Sequence, residues 1–437
     1  MEPKERFLRT MMFEEVDRVA THDNIASSSI LRRYAPDLSR SDPLMAGKKA
    51  CLELGIDALR FVMTTEGVKE GEVVEHGGYV HKRFSYTTWI VKRRIQTVED
   101  FLENPVEMPD EDQIAREAEE TIRHYRETQS KLDPIYYLFH SGRWVPGLGE
   151  YAQNRLGLML FSKVLYSETR RVKRDIRNIG ESHVKFAKIC AENDIAPVVF
   201  GGEDVCTNHG PFVRPQILRE LFFPYLARIV KAFRKHDIKY VFHSDGDLWP
   251  LLDDFRKAKV NGLHPLEPFC GMDILKVKEK VGDEIVLFGN IDCSSTLPLG
   301  SVEDVTREVI ERIQDAAPGS GYVLGSSSEL EEIVPIENVE AMFKTVRRYG
   351  KFAPRVRPHL SFYSGDANRH MMWQPERRLV KKLACPLCGR EVGVEDARRC
   401  MSCGRVVCIS CFDVNMGVCQ NCLKRFSPDD PCPDYIG

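Results

Sequence analysis

Eight short apolar runs, each ending in a polar or glycine-bearing tip and followed by a helical pattern, leave this chain few architectures to adopt. The runs cover residues 19–23, 55–62, 135–140, 196–200, 239–243, 260–264, 284–288 and 322–324. Alternation of this kind, with short connections, predicts a parallel sheet covered by helices. Eight repeats predict an α/β fold of the closed (β/α)8 barrel type rather than an open doubly wound sheet. Neither G-x-G-x-x-G nor G-x-x-x-x-G-K-[ST] follows a run, so a nucleotide cradle has no support. Residues 72–96 alternate instead with a period of two around Gly77-Gly78, which predicts a hairpin inserted over the barrel mouth. Residues 105–127 read as a polar, solvated helical region, and 215–235 as one helix.

In a barrel the strand C-termini converge on one mouth, so their tips are where chemistry is sought. Glu203 and Asp204, His243 and Asp245, Glu267, and Asp292 all stand just past predicted strand ends. The sharpest case is Tyr240-Val241-Phe242-His243-Ser244-Asp245-Gly246-Asp247, a buried strand running into one imidazole and two carboxylates. Side chains two apart on an extended tip point the same way, so His243 and Asp245 can share a metal, a proton or a substrate hydroxyl. The competing reading is a helix cap, with Asp245 or Asp247 accepting backbone N–H groups and His243 merely packed. Four successive tips of this character favour a shared site. Its expected catalytic residues are His243, Asp245, Glu203, Asp292 and Glu267, with His243 also a metal ligand.

At 437 residues the chain suits one large barrel plus an appendage. A net charge of −3 supplies no general attraction to nucleic acid or to an anionic membrane. The charged start, Met1 to Arg6, has no apolar run behind it, and no stretch approaches the roughly 20 apolar residues of a membrane helix. The expected location is therefore cytoplasmic. Of 14 cysteines, nine fall in residues 385–437. Four C-x-x-C pairs stand there: Cys385 and Cys388, Cys400 and Cys403, Cys408 and Cys411, Cys419 and Cys422. With no export signal, such pairs are metal ligands before they are disulfides. Eight thiolates suit two structural zinc ions, whose binding would supply the folding energy that a short apolar-poor segment lacks. The expected layout is a barrel over 1–352, a linker over 353–384 and a zinc module over 385–437, with Cys432 left over.

The order of the tip motifs carries a resemblance. Phe242-His243-Ser244-Asp245-Gly246-Asp247 is followed by Leu266-Glu267-Pro268, by Gly271-Met272-Asp273, by Gly289-Asn290-Ile291-Asp292 and by residues 334–339, Val-Pro-Ile-Glu-Asn-Val. Across roughly residues 1–352 this resembles the uroporphyrinogen decarboxylase superfamily, and most closely its cobalamin-dependent methyltransferase branch. The resemblance implies transfer of a methyl group from a small methoxylated or N-methylated compound to a corrinoid protein. Two alternatives remain: uroporphyrinogen III decarboxylase, or a non-catalytic barrel whose zinc tail docks a partner. A homodimer is compatible with either.

Departures bear on the choice. The segment 24–34 lacks the arginine-rich motif with which the decarboxylases hold substrate carboxylates, although Arg32 and Arg33 are nearby. Phe61-Val62-Met63-Thr64 carries no carboxylate after the second strand, and Gly325-Ser326-Ser327 stands in place of a Gly-His-Gly. The methyltransferase branch holds zinc on a His-x-Cys pair and a late Cys; here these positions are His243-x-Asp245 and a serine near Ser326. Zinc accepts imidazole and carboxylate, so the resemblance implies a site from His243, Asp245 and Glu203, with Cys270 and Cys293 near the mouth. The tail resembles a FYVE- or RING-type cross-brace, which implies that the first and third pairs share one zinc and the second and fourth the other. The paired histidines of lipid-binding FYVE domains are missing.

Overall fold

The computed structural model describes residues 1–64, 69, 71–83 and 88–352, and, near the C-terminus, 383–385, 387–392, 397–399, 406–413 and 418–420. Eight parallel strands form in chain order: β1 (Ala20–Ala26), β2 (Ala58–Val62), β3 (Tyr136–Tyr137), β4 (Val198–Gly202), β5 (Lys239–His243), β6 (Gly262–His264), β7 (Val286–Phe288) and β8 (Tyr322–Leu324). Each pairs with its sequence neighbours, and β8 returns to β1 through Ala20 opposite Val323. A parallel bridge between His140 and Phe200, with the Phe200 N–H donating to the Phe139 carbonyl at 3.1 Å, joins β3 to β4 and closes the ring. All eight apolar runs are strands of one (β/α)8 barrel.

Alternation along the strands sorts side chains between two cores. Ala20, Ala58, Val198, Val241, Val286 and Val323 belong to the barrel's inner cluster. Tyr240 and Phe242 of β5 belong to the outer one, where the Phe242 ring packs 4.9 Å from Phe255 on the following helix. The N-terminal helix Pro3–Met11 adds Phe7 to the inner cluster, its ring stacked 4.8 Å from that of Tyr136. Beside it, Asp57 at the start of β2 takes hydrogen bonds from Arg6 at 2.6 Å and from Arg18 at 2.9 and 3.0 Å. A buried carboxylate between two guanidiniums ties the helix and β1 to this end of the barrel.

Three expectations are amended. Residues 215–235 form two helices, Pro215–Leu221 and Phe223–Arg234, because Pro224 has no N–H to continue the first helix and suits the opening turn of the second. The polar region upstream contains a helix, Glu111–Leu132, that buries a stripe of Ile114, Ala118, Ile122, Tyr125 and Leu132. The hairpin gains a third strand: Val73–His76, Tyr79–Arg83 and Thr88–Lys92 form an antiparallel sheet between β2 and β3, with Gly77 and Gly78 both at positive φ in its first turn. Among the described residues no helix is long and apolar enough to cross a membrane. The tail shows three short antiparallel ladders, pairing Leu383–Ala384 with Glu391–Val392, Ala397–Arg399 with Val406–Cys408, and Phe412–Asp413 with Val418–Cys419. The expected linker, Cys400, Cys403, Cys422 and Cys432 lie outside the described residues.

Candidate metal centre at the barrel mouth

The inner alternation continues upward from the apolar layer. Two residues beyond Ala20, Ala58, Leu138, Val241 and Gly262 come His22, Arg60, His140, His243 and His264. The barrel therefore changes from aliphatic to imidazole and guanidinium within one side-chain layer. The His243 and His264 rings meet through their Nδ1 atoms at 2.8 Å, and the His22 ring stands edge-on to His264 at 5.3 Å.

On its other edge, His243 Nε2 faces Asp204 Oδ1 at 3.6 Å and Asp245 Oδ1 at 3.8 Å. One donor atom from each of Asp204, His243 and Asp245 lies within 4.8 Å of the others. The Asp245 N–H donates to Asp204 Oδ1 at 3.0 Å, which sets the two tips in register. Asp245 Oδ1 is buried with no hydrogen-bond partner among the described residues. A buried carboxylate oxygen without a donor is costly, and a cation answers it. The Asp204 and Asp245 side chains are nonetheless 40% and 41% exposed, so the group can be reached from the mouth.

Electrostatics agrees with the geometry. Burial, then the charges of Asp204, Glu267 and Glu329, holds the Asp245 carboxyl well above its ordinary range, against the pull of Arg60. Burial likewise raises Asp204. The His243 imidazole is kept well below its ordinary value by burial, then by Arg60, His140 and His22, so it is neutral and offers a lone pair. Two crowded carboxyls beside a neutral imidazole match a divalent cation's donor set, and the oxygen-rich mixture suits zinc or a harder ion.

The other expected residues are placed differently. Glu203 turns to the loop before the helix Glu150–Leu156, where its carboxylate accepts from the N–H groups of Gly147, at 2.9 Å, and Gly149. Its neighbour Asp204 faces His243 in its stead; both stood at one tip, and only the path of the backbone beyond β4 chooses between them. Glu267 accepts the Gly246 N–H at 2.6 Å and the Cys270 thiol at 3.3 Å, bracing the turn after Asp245. Gly246 has φ +92°, and a Cβ there would lie 2.6 Å from the Thr207 carbonyl oxygen. The cap reading is realised by Asp247, whose Oδ1 accepts the Trp249 N–H at 2.9 Å. Asp292 caps its own turn, accepting from the Ser294 N–H at 2.7 Å and the Ser295 hydroxyl at 2.6 Å. Cys270 donates to Asn208 at 3.0 Å, and the Ser327 hydroxyl donates to Cys293 at 3.2 Å. Burial pushes both thiols up, so neither is a thiolate. Ser326 donates through its N–H and its hydroxyl to Asp23, at 2.9 and 2.8 Å.

A second cluster lies in the tail. Cys385, Cys388, Cys408 and Cys411 bring one sulfur each within 4.8 Å of the others, with Cys388 and Cys408 sulfurs 3.6 Å apart. Against its burial, which raises it, the N–H groups of Cys408, Leu387 and Cys388 bring the Cys385 thiol down to about 6. Four cysteines so placed can hold one metal ion, and they are the first and third C-x-x-C pairs.

Residues 153–349, from within the helix Glu150–Leu156 to the end of the helix Ile336–Tyr349 that follows β8, match the family model described as uroporphyrinogen decarboxylase (URO-D). That part of the chain is URO-D-like. A uroporphyrinogen decarboxylase from Anaeromyxobacter dehalogenans is 30% identical over 141 residues, 30% of this chain and 36% of that protein. One from Coxiella burnetii is 23% identical over 159 residues, 35% of this chain and 42% of that protein. The chain thus spans well under half the length of these URO-D relatives. Among solved structures, a methyltransferase from Methanosarcina mazei superposes with a TM-score of 0.59 at 19% identity, over 80% of this chain and 99% of that one. At that identity the likeness concerns the fold: the two share a barrel.

Proposed function

We propose that this protein is a metal-assisted methyltransferase of the URO-D superfamily. It takes a methyl group from a small methoxylated or N-methylated compound and passes it to a corrinoid protein. The observation that carries the proposal is the group Asp204–His243–Asp245 at the mouth, with its neutral imidazole and its unanswered Asp245 oxygen. These three residues would hold a divalent cation, which when bound polarises the heteroatom that releases the methyl group. The chain's own residues do the rest. His264 fixes the orientation of His243 through the 2.8 Å contact, and a proton held on His243 Nδ1 leaves Nε2 free to ligate. Glu267 and Asp247 stiffen the turn that carries Asp245. The solved methyltransferase of like fold supports this reading.

The curated relatives support a second one, decarboxylation of uroporphyrinogen. Charge weighs against it. A tetrapyrrole rimmed by carboxylates needs cations, and this mouth carries Asp204, Asp245, Glu267 and Glu329 around Arg60. Arg32 and Arg33, in the segment that would hold such a substrate, stand instead beside Glu332, at 3.6 Å, and Glu340, at 3.3 Å. Arg60 can answer one carboxylate, and leaving the several others of such a substrate beside these acids would cost on the order of several kcal/mol each. The test incubates the full chain with a reduced corrinoid protein and a panel of methoxylated and N-methylated donors, following methylation in the corrinoid's visible spectrum. The expected result is transfer with at least one donor, reduced about 10²-fold or more in His243→Ala together with loss of the barrel metal. Coproporphyrinogen formation without any methyl transfer would reverse the ranking.

A further inference from the structure

Arg60 is an unused cation inside the mouth. It is the inward-facing residue two positions beyond Ala58 on β2, and its guanidinium carbon lies 4.9 Å from the Phe200 ring and 4.9 Å from the Phe61 ring. The Phe200 ring in turn stands 5.8 Å from that of His243 and 5.5 Å from that of His264, so Arg60 borders the candidate metal group. A guanidinium has five N–H donors. Among the described residues Arg60 spends one, on Asn24 Oδ1 at 3.4 Å, a long contact. The carboxylates whose charge it feels are Glu329, Asp245 and Asp204. No ion pair within 4.0 Å joins Arg60 to any of them among the described residues.

Four other arginines of the barrel are answered by carboxylates. Arg6 and Arg18 share Asp57, Arg171 holds Asp175 at 2.8 Å, and Arg219 holds Asp254 at 2.9 Å. A guanidinium placed among aromatic faces, with no carboxylate paired to it among the described residues, has lost hydration and gained little in return. Its fork of donors is matched by a planar anion bound through two parallel hydrogen bonds.

We infer that Arg60 is the substrate-recognition residue of this site and that it binds a carboxylate, so that the methyl donor is a small methoxylated or N-methylated carboxylic acid. The inference rests on the methyl-transfer reading for the word donor, but the anion site itself does not. A neutral methyl ether or amine would leave the guanidinium unanswered; its acid counterpart would answer it and be oriented by it, with the heteroatom directed to Asp204, His243 and Asp245.

The test measures binding to the full-length, metal-loaded protein by calorimetry, using acid and amide pairs of equal shape: benzoate with benzamide, and methoxyacetate with methoxyacetamide. Wild type is expected to bind the acid of at least one pair at least tenfold more tightly than its amide. Arg60→Met should abolish that preference and Arg60→Lys should retain part of it, with circular dichroism unchanged in both. Equal binding of acid and amide by wild type, or a preference that survives in Arg60→Met, would overturn the inference. Carboxylate selectivity that depends on Arg60, in a protein that methylates no corrinoid, would sustain the anion site and sink the methyl-transfer reading instead. Methyl transfer from neutral donors alone would do the reverse.

Discussion

At the scale of single residues, the mouth is governed by what burial does to charge. Asp23 on β1 is buried, and although the Ser326 N–H and hydroxyl and the Asn24 N–H all donate to it, desolvation prevails and raises its carboxyl from 3.8 to about 7. The folded protein therefore keeps this proton up to near neutrality, whereas the unfolded chain releases it near pH 4. Between those values the unfolded state binds fewer protons, so this group makes stability fall as pH rises from about 4 to about 7 and level off above. The swing is on the order of 2–4 kcal/mol. Asp23→Asn, which cannot ionise, should show a flatter melting temperature across that window than wild type. Parallel pH profiles for the two proteins would show that Asp23 carries no such penalty.

At the scale of elements, a strand tip gains meaning only together with its neighbours. The β5 tip brings His243 and Asp245, but Asp204 comes from the β4 tip and His264 from β6. The register that sets His243 opposite both Gly202 and His264 is what assembles the group. In the tail, too, residues distant in sequence meet: four cysteines that could hold one ion come together. Its first and third C-x-x-C pairs meet although Cys400 and Cys403 intervene in sequence, so the segment is folded back across itself. Replacing Cys385 and Cys388 together by serine should lower the zinc content of the full chain by about one equivalent and expose the tail to protease, because in such modules metal binding is folding energy. Unchanged zinc content would show that these thiols hold no ion.

At the scale of the whole molecule, the barrel separates stability from chemistry by its two ends. The end where the strands begin is closed by Phe7 and by Asp57 between Arg6 and Arg18. The opposite end carries the imidazoles, acids and Arg60. In this fold residues at the first end serve stability, and groups at the strand C-termini serve chemistry. Asp57→Ala leaves two guanidiniums without their shared partner and should cost about 3–5 kcal/mol, read as a lower melting temperature. The metal binding proposed for Asp204, His243 and Asp245 should persist in the surviving folded fraction. A loss of metal affinity at full stability would mean that the two ends are coupled.

Much of this was legible in the chain. Alternation of apolar runs with helical patterns set a parallel sheet with right-handed crossovers, and the count of eight favoured closing it into a barrel, which leaves no edge strand unpaired. The C-x-x-C spacing determined which residues could ligate in the tail, since a knuckle is a local geometry. Glu203, Asp292 and Glu267 could not be resolved in the same way. A carboxylate past a strand end serves equally as cap, brace or ligand, and the choice depends on where the backbone turns next. The period of two places Arg60 and His264 on the inner face, but in sequence neither stands out: Arg60 follows a leucine within an apolar run, and His264 precedes a proline tip. Only the closed ring decided which of these side chains share one cavity: neighbouring strands pair in a register that no single strand's sequence contains.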